Sequence, residues 1–156
     1  MLTKTAIIET ASWRDLNALR HLEQVCFPLD SWPLLDLIGV LTFPGVVRLK
    51  AVLDDTMVGF IAGDIRDGRK LGWITTLAVL PEYQRHGIGS QLLEECEKLI
   101  NTPVYRLNVR VSNHAAIRLY QRFGYQQTSI WHGYYHDGED AFILEKKVDR
   151  REYNIV

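Results

Sequence analysis

The 156-residue sequence is poor in cysteine and has no large excess of charge of either sign. Its two cysteines, Cys26 and Cys96, lie far apart and match no spacing typical of a metal or redox site, so we interpret both as reduced thiols and predict no metal. The formal net charge is -1, from 18 basic and 19 acidic residues. A nucleic-acid-binding surface needs a basic excess. The composition therefore predicts no nucleic-acid partner.

Long apolar runs are also missing. No segment approaches the ~18 consecutive apolar residues that span a bilayer, and the first residues lack the basic region and apolar stretch of a secretory signal. We therefore expect no membrane partner and a cytoplasmic location. Hydrophobic residues make up 47% of the chain and charged residues 24%. Both values are ordinary for a globular domain, and the length indicates a single one.

The spacing of apolar residues predicts the element order β-α-α-β-β-β-α-β-α-β-β. Strands are predicted over residues 5–9, 46–53, 57–65, 72–79, 104–111, 125–132 and 141–148. A strand, a loop, a helix and a strand in the middle of this order indicate a parallel crossover within a mixed sheet. We expect one domain over residues 1–148 and a polar tail over 149–156.

Local signals predict where the helices begin and which faces they bury. Ser12 and Asp15 fit a capping box for the first helix, Ser31 is a possible cap for a short helix over 33–42, and Ser112 is expected to cap the last helix. The third helix carries an apolar stripe made of Ile88, Leu92, Leu93, Cys96, Leu99 and Ile100.

The segment with the clearest chemical signal follows the strand over 72–79 and opens the third helix. It reads Gln84-Arg85-His86-Gly87-Ile88-Gly89, with Ser90 next. Unpaired backbone N–H groups and the helix dipole at such a place favour an anion, and glycine lets the backbone turn sharply and approach a ligand. A strand-to-helix turn that happens to use glycine would also fit these residues alone.

Two separated blocks resemble the GNAT superfamily of N-acetyltransferases. The first is Leu77-Ala78-Val79 followed by the loop in which Gln84, Gly87 and Gly89 fill the pyrophosphate pattern of acetyl-CoA binding. The second block runs from Asn108 to Tyr125 and contains Asn113 and Tyr120. The resemblance covers about residues 46–148. It implies an α/β (α+β) GNAT fold, with a mixed central sheet of about seven strands flanked by about four helices.

The resemblance also implies acetyl-CoA as co-substrate and assigns its contacts. In this family an amine attacks the acetyl thioester directly, in a complex that holds both substrates. Leu77, Ala78 and Val79 would offer backbone groups to the acetyl carbonyl and pantetheine arm, and Asn113 and Tyr120 would lie near the pantetheine and thiol. Tyr120 would be the general acid for the departing thiolate. The full set implied to bind acetyl-CoA is Leu77, Ala78, Val79, Gln84, Arg85, His86, Gly87, Ile88, Gly89, Ser90, Asn113 and Tyr120.

Three segments resemble the subgroup that acetylates protein N-termini, including the ribosomal-protein alanine type. They are the strand around Trp73, the loop Phe27-Pro28-Leu29 and the hairpin with Tyr134 and Tyr135. By this resemblance the Phe27 loop would contact the first side chain of a peptide, and the two tyrosines would hold its backbone. The acceptor implied is a protein or peptide N-terminus, bound by a monomer or homodimer.

One position departs from the subgroup. Asn108 stands where Glu or His often supplies a general base, and an amide does not accept a proton at neutral pH. Trp73 likewise stands where related enzymes often have tyrosine. His132, His136 and Glu139 are further candidates to approach the amine. Two alternatives therefore stay open: an acetyltransferase for a small-molecule amine, and a sensor that binds acetyl-CoA without turnover.

Overall fold

The computed structural model of the protein describes residues 4–149, and the predicted polar tail lies outside them except for its first residue. The elements in chain order are β1 (Ile7–Thr10), α1 (Leu16–Cys26), α2 (Leu34–Thr42), β2 (Val46–Leu53), β3 (Thr56–Arg66), β4 (Leu71–Val79), α3 (Ile88–Ile100), β5 (Val104–Arg110), α4 (His114–Arg122), β6 (Gln126–Trp131) and β7 (Ala141–Lys147). Short 3-10 turns precede α1 and α3. The predicted element order is confirmed.

All seven strands form one mixed sheet in the order β1-β2-β3-β4-β5-β7-β6. Every neighbouring pair is antiparallel except β4 and β5, which are parallel and joined through α3. A parallel pair needs a crossover connection, and the strand–helix–strand signal of the sequence predicted it. The predicted sheet of about seven strands with four helices is confirmed.

The parallel pair is short. Only Leu71 to Trp73 of β4 pair with Val104 to Arg106 of β5, although both strands continue beyond these residues. Past Trp73 the backbone of β4 pairs with β3 alone. The sheet is therefore open between its two central strands, and the carboxyl-terminal half of β4 has a free edge.

An irregularity in β4 sits beside this opening. Ala62 of β3 opposes Thr76 and Gly63 opposes Ile74, so Thr75 is an extra residue in β4. Its hydroxyl donates to the Ala62 carbonyl oxygen at 3.0 Å. Such a β-bulge interrupts the strict alternation of side chains along the strand. It explains how consecutive residues of β4 come to face the same space.

Helix α3 covers the face of the sheet formed by β2, β3 and β4. Leu92, Leu93, Cys96 and Ile100 of its apolar stripe are fully buried. A Cβ on Gly63 would lie 2.7 Å from Ile100 Cδ1 and 2.9 Å from the carbonyl oxygen of Trp73. Small residues on the strands therefore let this helix approach the sheet closely.

Three local predictions were wrong. Leu99 is 56% exposed, because the buried stripe of α3 passes through Cys96 and Ile100 and turns Leu99 to solvent. Asn113, not Ser112, caps α4, since its side chain accepts a hydrogen bond from the backbone N–H of Ala116. Pro33, not Ser31, occupies the cap position of α2. The Ser12–Asp15 capping box is confirmed.

Candidate active site

A cavity of about 420 Å³ lies where β4 and β5 part. Its walls come from the loop after α1, the free half of β4, the end of β5, the start of α4 and the loop between β6 and β7. Residues expected at the site that line it are Phe27, Pro28, Leu29, Leu77, Asn108, Asn113, Tyr120 and Tyr135. Segments far apart in the chain therefore meet at the open seam of the sheet.

Residues 84–89, the phosphate loop, lie just beyond the carboxyl-terminal end of β4. Arg85 and Gly87 have left-handed backbone angles, φ 65° and 80°, and α3 begins immediately afterwards at Ile88. Gln84 folds back, and its Nε2 donates to the carbonyl oxygen of Val79 at 3.0 Å. The loop is solvent-exposed, and the first-turn N–H groups of α3 suit an anion.

The remaining loop positions differ in what they offer. Ile88 is 6% exposed and belongs to the core, so only its backbone faces a ligand at the helix start. Gly89 packs under α4, because a Cβ there would lie 3.3 Å from Leu119 Cδ2. His86 is exposed and Ser90 is half-buried. Ala78 is a buried core residue, and neither it nor Val79 lines the cavity.

Tyr120 lines the cavity and is 6% exposed. Its ring makes an edge contact with Tyr125, with centroids 5.7 Å apart. Burial raises the pKa of the Tyr120 hydroxyl well above its ordinary value. The hydroxyl therefore stays protonated at neutral pH and is available as a donor.

Asn108 faces the hairpin loop across the cavity. Its Nδ2 donates to the hydroxyl of Tyr135 at 3.4 Å. Burial is also the main reason that the pKa of Tyr135 is raised. An amide and a neutral phenol can orient a substrate through hydrogen bonds, but neither removes a proton readily at neutral pH.

An ion-pair cluster centred on Arg110 was not predicted from the sequence. Arg110 lies on β5, two residues after Asn108. Its guanidinium donates to Asp30 at 2.6 Å, to Glu139 at 2.7 Å and to Asp137 at 3.0 Å. It also lies 4.0 Å from the ring centroid of Tyr135. Although partial burial acts to lower the pKa of Arg110, these bonds raise it overall. One arginine therefore ties the loop after α1 to the loop before β7.

Several residues expected near the acceptor lie elsewhere in the described structure. Trp73 stacks on Trp131 with centroids 6.2 Å apart, and Trp131 contacts Tyr134 at 5.3 Å, outside the cavity lining. Glu139 is engaged with Arg110. His132 has an 80% exposed side chain and contacts Asp140.

A second missed residue is the carboxylate of Glu23, which lies in the buried face of α1. Its side chain accepts a hydrogen bond from the hydroxyl of Thr76 at 3.3 Å, and Thr76 lines the cavity. Burial raises the pKa of Glu23 to about 6, although the Trp32 N–H and the Thr76 hydroxyl act to lower it. The available signal was its spacing, since Glu23 falls between Leu22 and Cys26 on an otherwise apolar face.

Among residues 4–149, no helix is both long and apolar enough to cross a membrane. The two cysteines are unpaired. Burial raises the pKa of the Cys26 thiol to about 11, and this thiol donates to the Val79 carbonyl oxygen at 3.4 Å. Cys26 is therefore a protonated wall residue of the cavity rather than a thiolate.

Comparison with known proteins gives the family. Residues 16–125 match the model of the acetyltransferase (GNAT) family. The chain is similar to an N-alpha-acetyltransferase of Saccharolobus solfataricus, at 30% identity over 89% of this chain and 91% of that protein. It is also similar to an uncharacterized N-acetyltransferase of Methanocaldococcus jannaschii, at 35% identity over 90% of this chain and 91% of the relative.

A solved structure agrees with these relatives in fold. The ribosomal-protein-S18-alanine N-acetyltransferase of Escherichia coli superposes with a TM-score of 0.82 at 28% identity, covering 92% of this chain and 94% of that one. The chain belongs to the GNAT family of acetyltransferases.

Proposed function

We propose that this protein transfers the acetyl group of acetyl-CoA to the N-terminal α-amine of a protein or peptide. The observation that carries the proposal is one cavity that holds residues expected at both substrates. Tyr120 and Asn113, expected at the pantetheine and thiol, line it together with Tyr135 and the loop of Phe27 to Leu29, expected at the peptide. Relatives named N-alpha-acetyltransferases, including the protein from Saccharolobus solfataricus, support the choice of acceptor.

Acetyl-CoA would bind along the free edge of β4. The N–H groups at the start of α3, with Arg85 beside them, would hold its pyrophosphate. Leu77 to Val79 pair with β3 on one side. The backbone groups on their other, free edge would hydrogen-bond the pantetheine arm, and a backbone N–H there would stabilise the oxyanion that develops on the acetyl carbonyl. The Gln84 and Cys26 side chains that donate to the Val79 carbonyl have to move aside if that oxygen takes part.

Tyr120 would act at the departing sulfur. Its raised pKa keeps the hydroxyl protonated, so it can donate a hydrogen bond to the thiolate as the C–S bond breaks. A thiol has a pKa near ~8.5, which makes the thiolate a tolerable leaving group even without full proton transfer. The contribution of Tyr120 is therefore expected to be moderate.

The absence of a strong base among the cavity residues 107–110 favours an α-amine over lysine. A peptide α-amine has a pKa near ~7.8, so its deprotonation at neutral pH costs only about 1 kcal/mol. A lysine amine near ~10.4 requires about 4.6 kcal/mol under the same conditions. Asn108 and Tyr135 can orient a neutral amine but supply little driving force to form one. The Phe27 and Leu29 side chains favour a small or apolar first residue.

The experiment is a thiol-release assay with acetyl-CoA and short peptides. The panel pairs each open N-terminus with its blocked counterpart, with and without lysine, and it includes a polyamine as a small acceptor. Turnover that requires an open N-terminus supports the proposal. Turnover with the polyamine only favours the small-amine alternative, and acetyl-CoA binding without any turnover favours a sensor.

We further propose that the domain over residues 1–148 works in the cytoplasm as a monomer or homodimer, without a nucleic-acid or membrane partner. The unpaired cysteines of the described residues support a reducing compartment. The small net charge supports the lack of a nucleic-acid partner. Fractionation of the producing cell and light scattering of the purified protein test these points.

A further inference from the structure

The least expected group in the core is the carboxylate of Glu23. It is 1% exposed, and its Oε2 is buried without a hydrogen-bond partner. A buried, incompletely solvated carboxylate is destabilising unless something compensates it. In this fold nothing charged does so, since none of the described ion pairs includes Glu23.

Thr76 connects this carboxylate to the cavity. The Thr76 hydroxyl donates to Glu23 Oε1 at 3.3 Å. A hydroxyl has one proton and two lone pairs. Once its proton points at Glu23, only lone pairs remain for the cavity, so Thr76 presents an acceptor to any N–H group there. The bulge at Thr75 is what allows Thr75 and Thr76 to line the cavity together.

Glu23 also borders a second cavity of about 290 Å³ on the far side of the loop after α1. Arg20, Gln24 and Ser31 line that space with it. On its own helix, Arg20 borders the second cavity with Glu23, and the Cys26 thiol lies close enough to be affected by its charge. Thr76 of β4 and the Trp32 N–H of the loop after α1, which do not ionise, also face it. The carboxylate thus separates the reaction cavity from a second opening.

We propose that Glu23 positions Thr76 as the hydrogen-bond acceptor for the incoming amine and takes up, through the Thr76 hydroxyl, the proton that the nitrogen loses as the C–N bond forms. The inference rests on the proposed N-terminal acetylation. It supplies the proton acceptor that is missing at Asn108. Glu23 does not touch the substrate itself, and it acts only through Thr76.

The proton balance closes without another reactant. The neutral amine forms the new C–N bond, and its nitrogen, now positively charged, gives one proton to Thr76 Oγ1, which passes its own proton to the Glu23 carboxylate. The C–S bond breaks, the amide keeps the remaining nitrogen proton, and the thiolate of CoA takes a proton from the Tyr120 hydroxyl, which recovers one from water. The Glu23 acid then releases its proton to water, for which the second cavity offers a route.

The proposal predicts a specific pH profile for kcat/KM with a peptide that has an open N-terminus and no other titrating group. Wild-type kcat/KM requires a neutral amine, with an ordinary pKa of about 7.8, and an ionised Glu23, with a pKa of about 6. Below about pH 6 the logarithm of wild-type kcat/KM should therefore fall by two units per pH unit. In Glu23→Gln only the amine titrates, so the logarithm should fall by one unit per pH unit throughout the acid range.

The size of the effect follows from the ionised fraction of Glu23. At about pH 5 about one eleventh of Glu23 is ionised, so the ratio of wild-type to Glu23→Gln kcat/KM should be about tenfold smaller at pH ~5 than at pH ~8. A purely structural defect would instead lower the rate by the same factor at every pH and leave this ratio unchanged.

Substitutions of Thr76 separate the relay from the packing of Glu23. Thr76→Val removes the hydroxyl and should give the one-unit slope of Glu23→Gln. Thr76→Ser restores the hydroxyl and should return the two-unit slope below about pH 6. A two-unit slope in folded Thr76→Val, or in folded Glu23→Gln, overturns the relay. If the wild-type protein acetylates no peptide, the proposed function itself fails, which is a different result.

Discussion

The Glu23 carboxylate should make the fold less stable, and the size of that effect follows from its pKa. In the folded protein this pKa is about 6, against an ordinary value of 4.5. Each pKa unit corresponds to about 1.36 kcal/mol, so ionised Glu23 costs about 2 kcal/mol. Because the pKa of Glu23 is raised in the folded state, protonation of Glu23 favours folding. This contribution to the free energy of unfolding is complete below about pH 4.5 and is lost as the pH rises through about 6.

Glu23→Gln should therefore be more stable than the wild-type protein at about pH 8, by up to about 2 kcal/mol, with the difference vanishing near about pH 4. For a chain of this size that is a Tm increase of about 4–8 °C. Urea unfolding at several pH values measures the free energy of unfolding directly. Equal or lower stability of the variant at pH ~8 would refute the assignment of Glu23 as an uncompensated buried carboxylate.

A matched control is available in Glu97. Its carboxylate accepts hydrogen bonds from Tyr125 at 2.7 Å and Lys146 at 2.8 Å, so it is compensated where Glu23 is not. Glu97→Gln should lower the free energy of unfolding at pH ~8, since it leaves the lysine without its ion-pair partner. If Glu23→Gln raises the free energy of unfolding and Glu97→Gln lowers it, then the partners of a buried carboxylate, and not burial alone, decide its effect on stability.

Three further predictions concern the site and the sheet. Tyr120→Phe should lower kcat by about tenfold to a hundredfold with little change in KM for acetyl-CoA, and unchanged steady-state kinetics would remove Tyr120 from the reaction. Gly63→Ala should reduce the free energy of unfolding by about 1–3 kcal/mol, because its Cβ would meet Ile100 Cδ1 at 2.7 Å and the backbone oxygen of Trp73 at 2.9 Å; equal urea midpoints would contradict this close contact. Arg110→Met should raise KM for the peptide and not for acetyl-CoA, since it releases the loop after α1 and the loop before β7 from β5. Equal rises in the two KM values would contradict that role.

The sequence predicts correctly most of the features that depend on local spacing. The apolar stripe of α3, apart from Leu99, and the Ser12 capping box each occupy one short segment, so their residues have fixed relative positions once the helix forms. The parallel crossover also follows from element order, because two parallel strands cannot be joined by a tight turn.

The acceptor side depends on contacts that spacing does not encode. Arg110 and Asp30 are 80 residues apart in the chain and form a 2.6 Å ion pair. The Thr75 bulge changes which residues of β4 face the cavity, and nothing in the sequence marks it. Glu23 was visible only as one polar residue on an apolar helix face. Such a residue is interpretable once its partner across the core is known.

The end of α3 shows the limit of a periodic pattern. Leu99 fits the apolar run of the helix but lies on its solvent side, where 56% of it is exposed. Successive residues are separated by about 100° around the helix. Leu92 and Leu93 are both buried in the middle of α3, but at its end Ile100 faces the sheet and Leu99 faces solvent. The preceding buried apolar residue, Cys96, is four positions before Ile100 and three before Leu99, and the packing selects Ile100.

The most direct test of the central claim is to find which nitrogen receives the acetyl group. A peptide with a free N-terminal serine or alanine and an internal lysine is incubated with the protein and acetyl-CoA, and the product is sequenced by tandem mass spectrometry. The account predicts acetylation of the α-amine at neutral pH and an unmodified lysine. Acetyl groups found on the lysine side chain, with the N-terminus free, would contradict it.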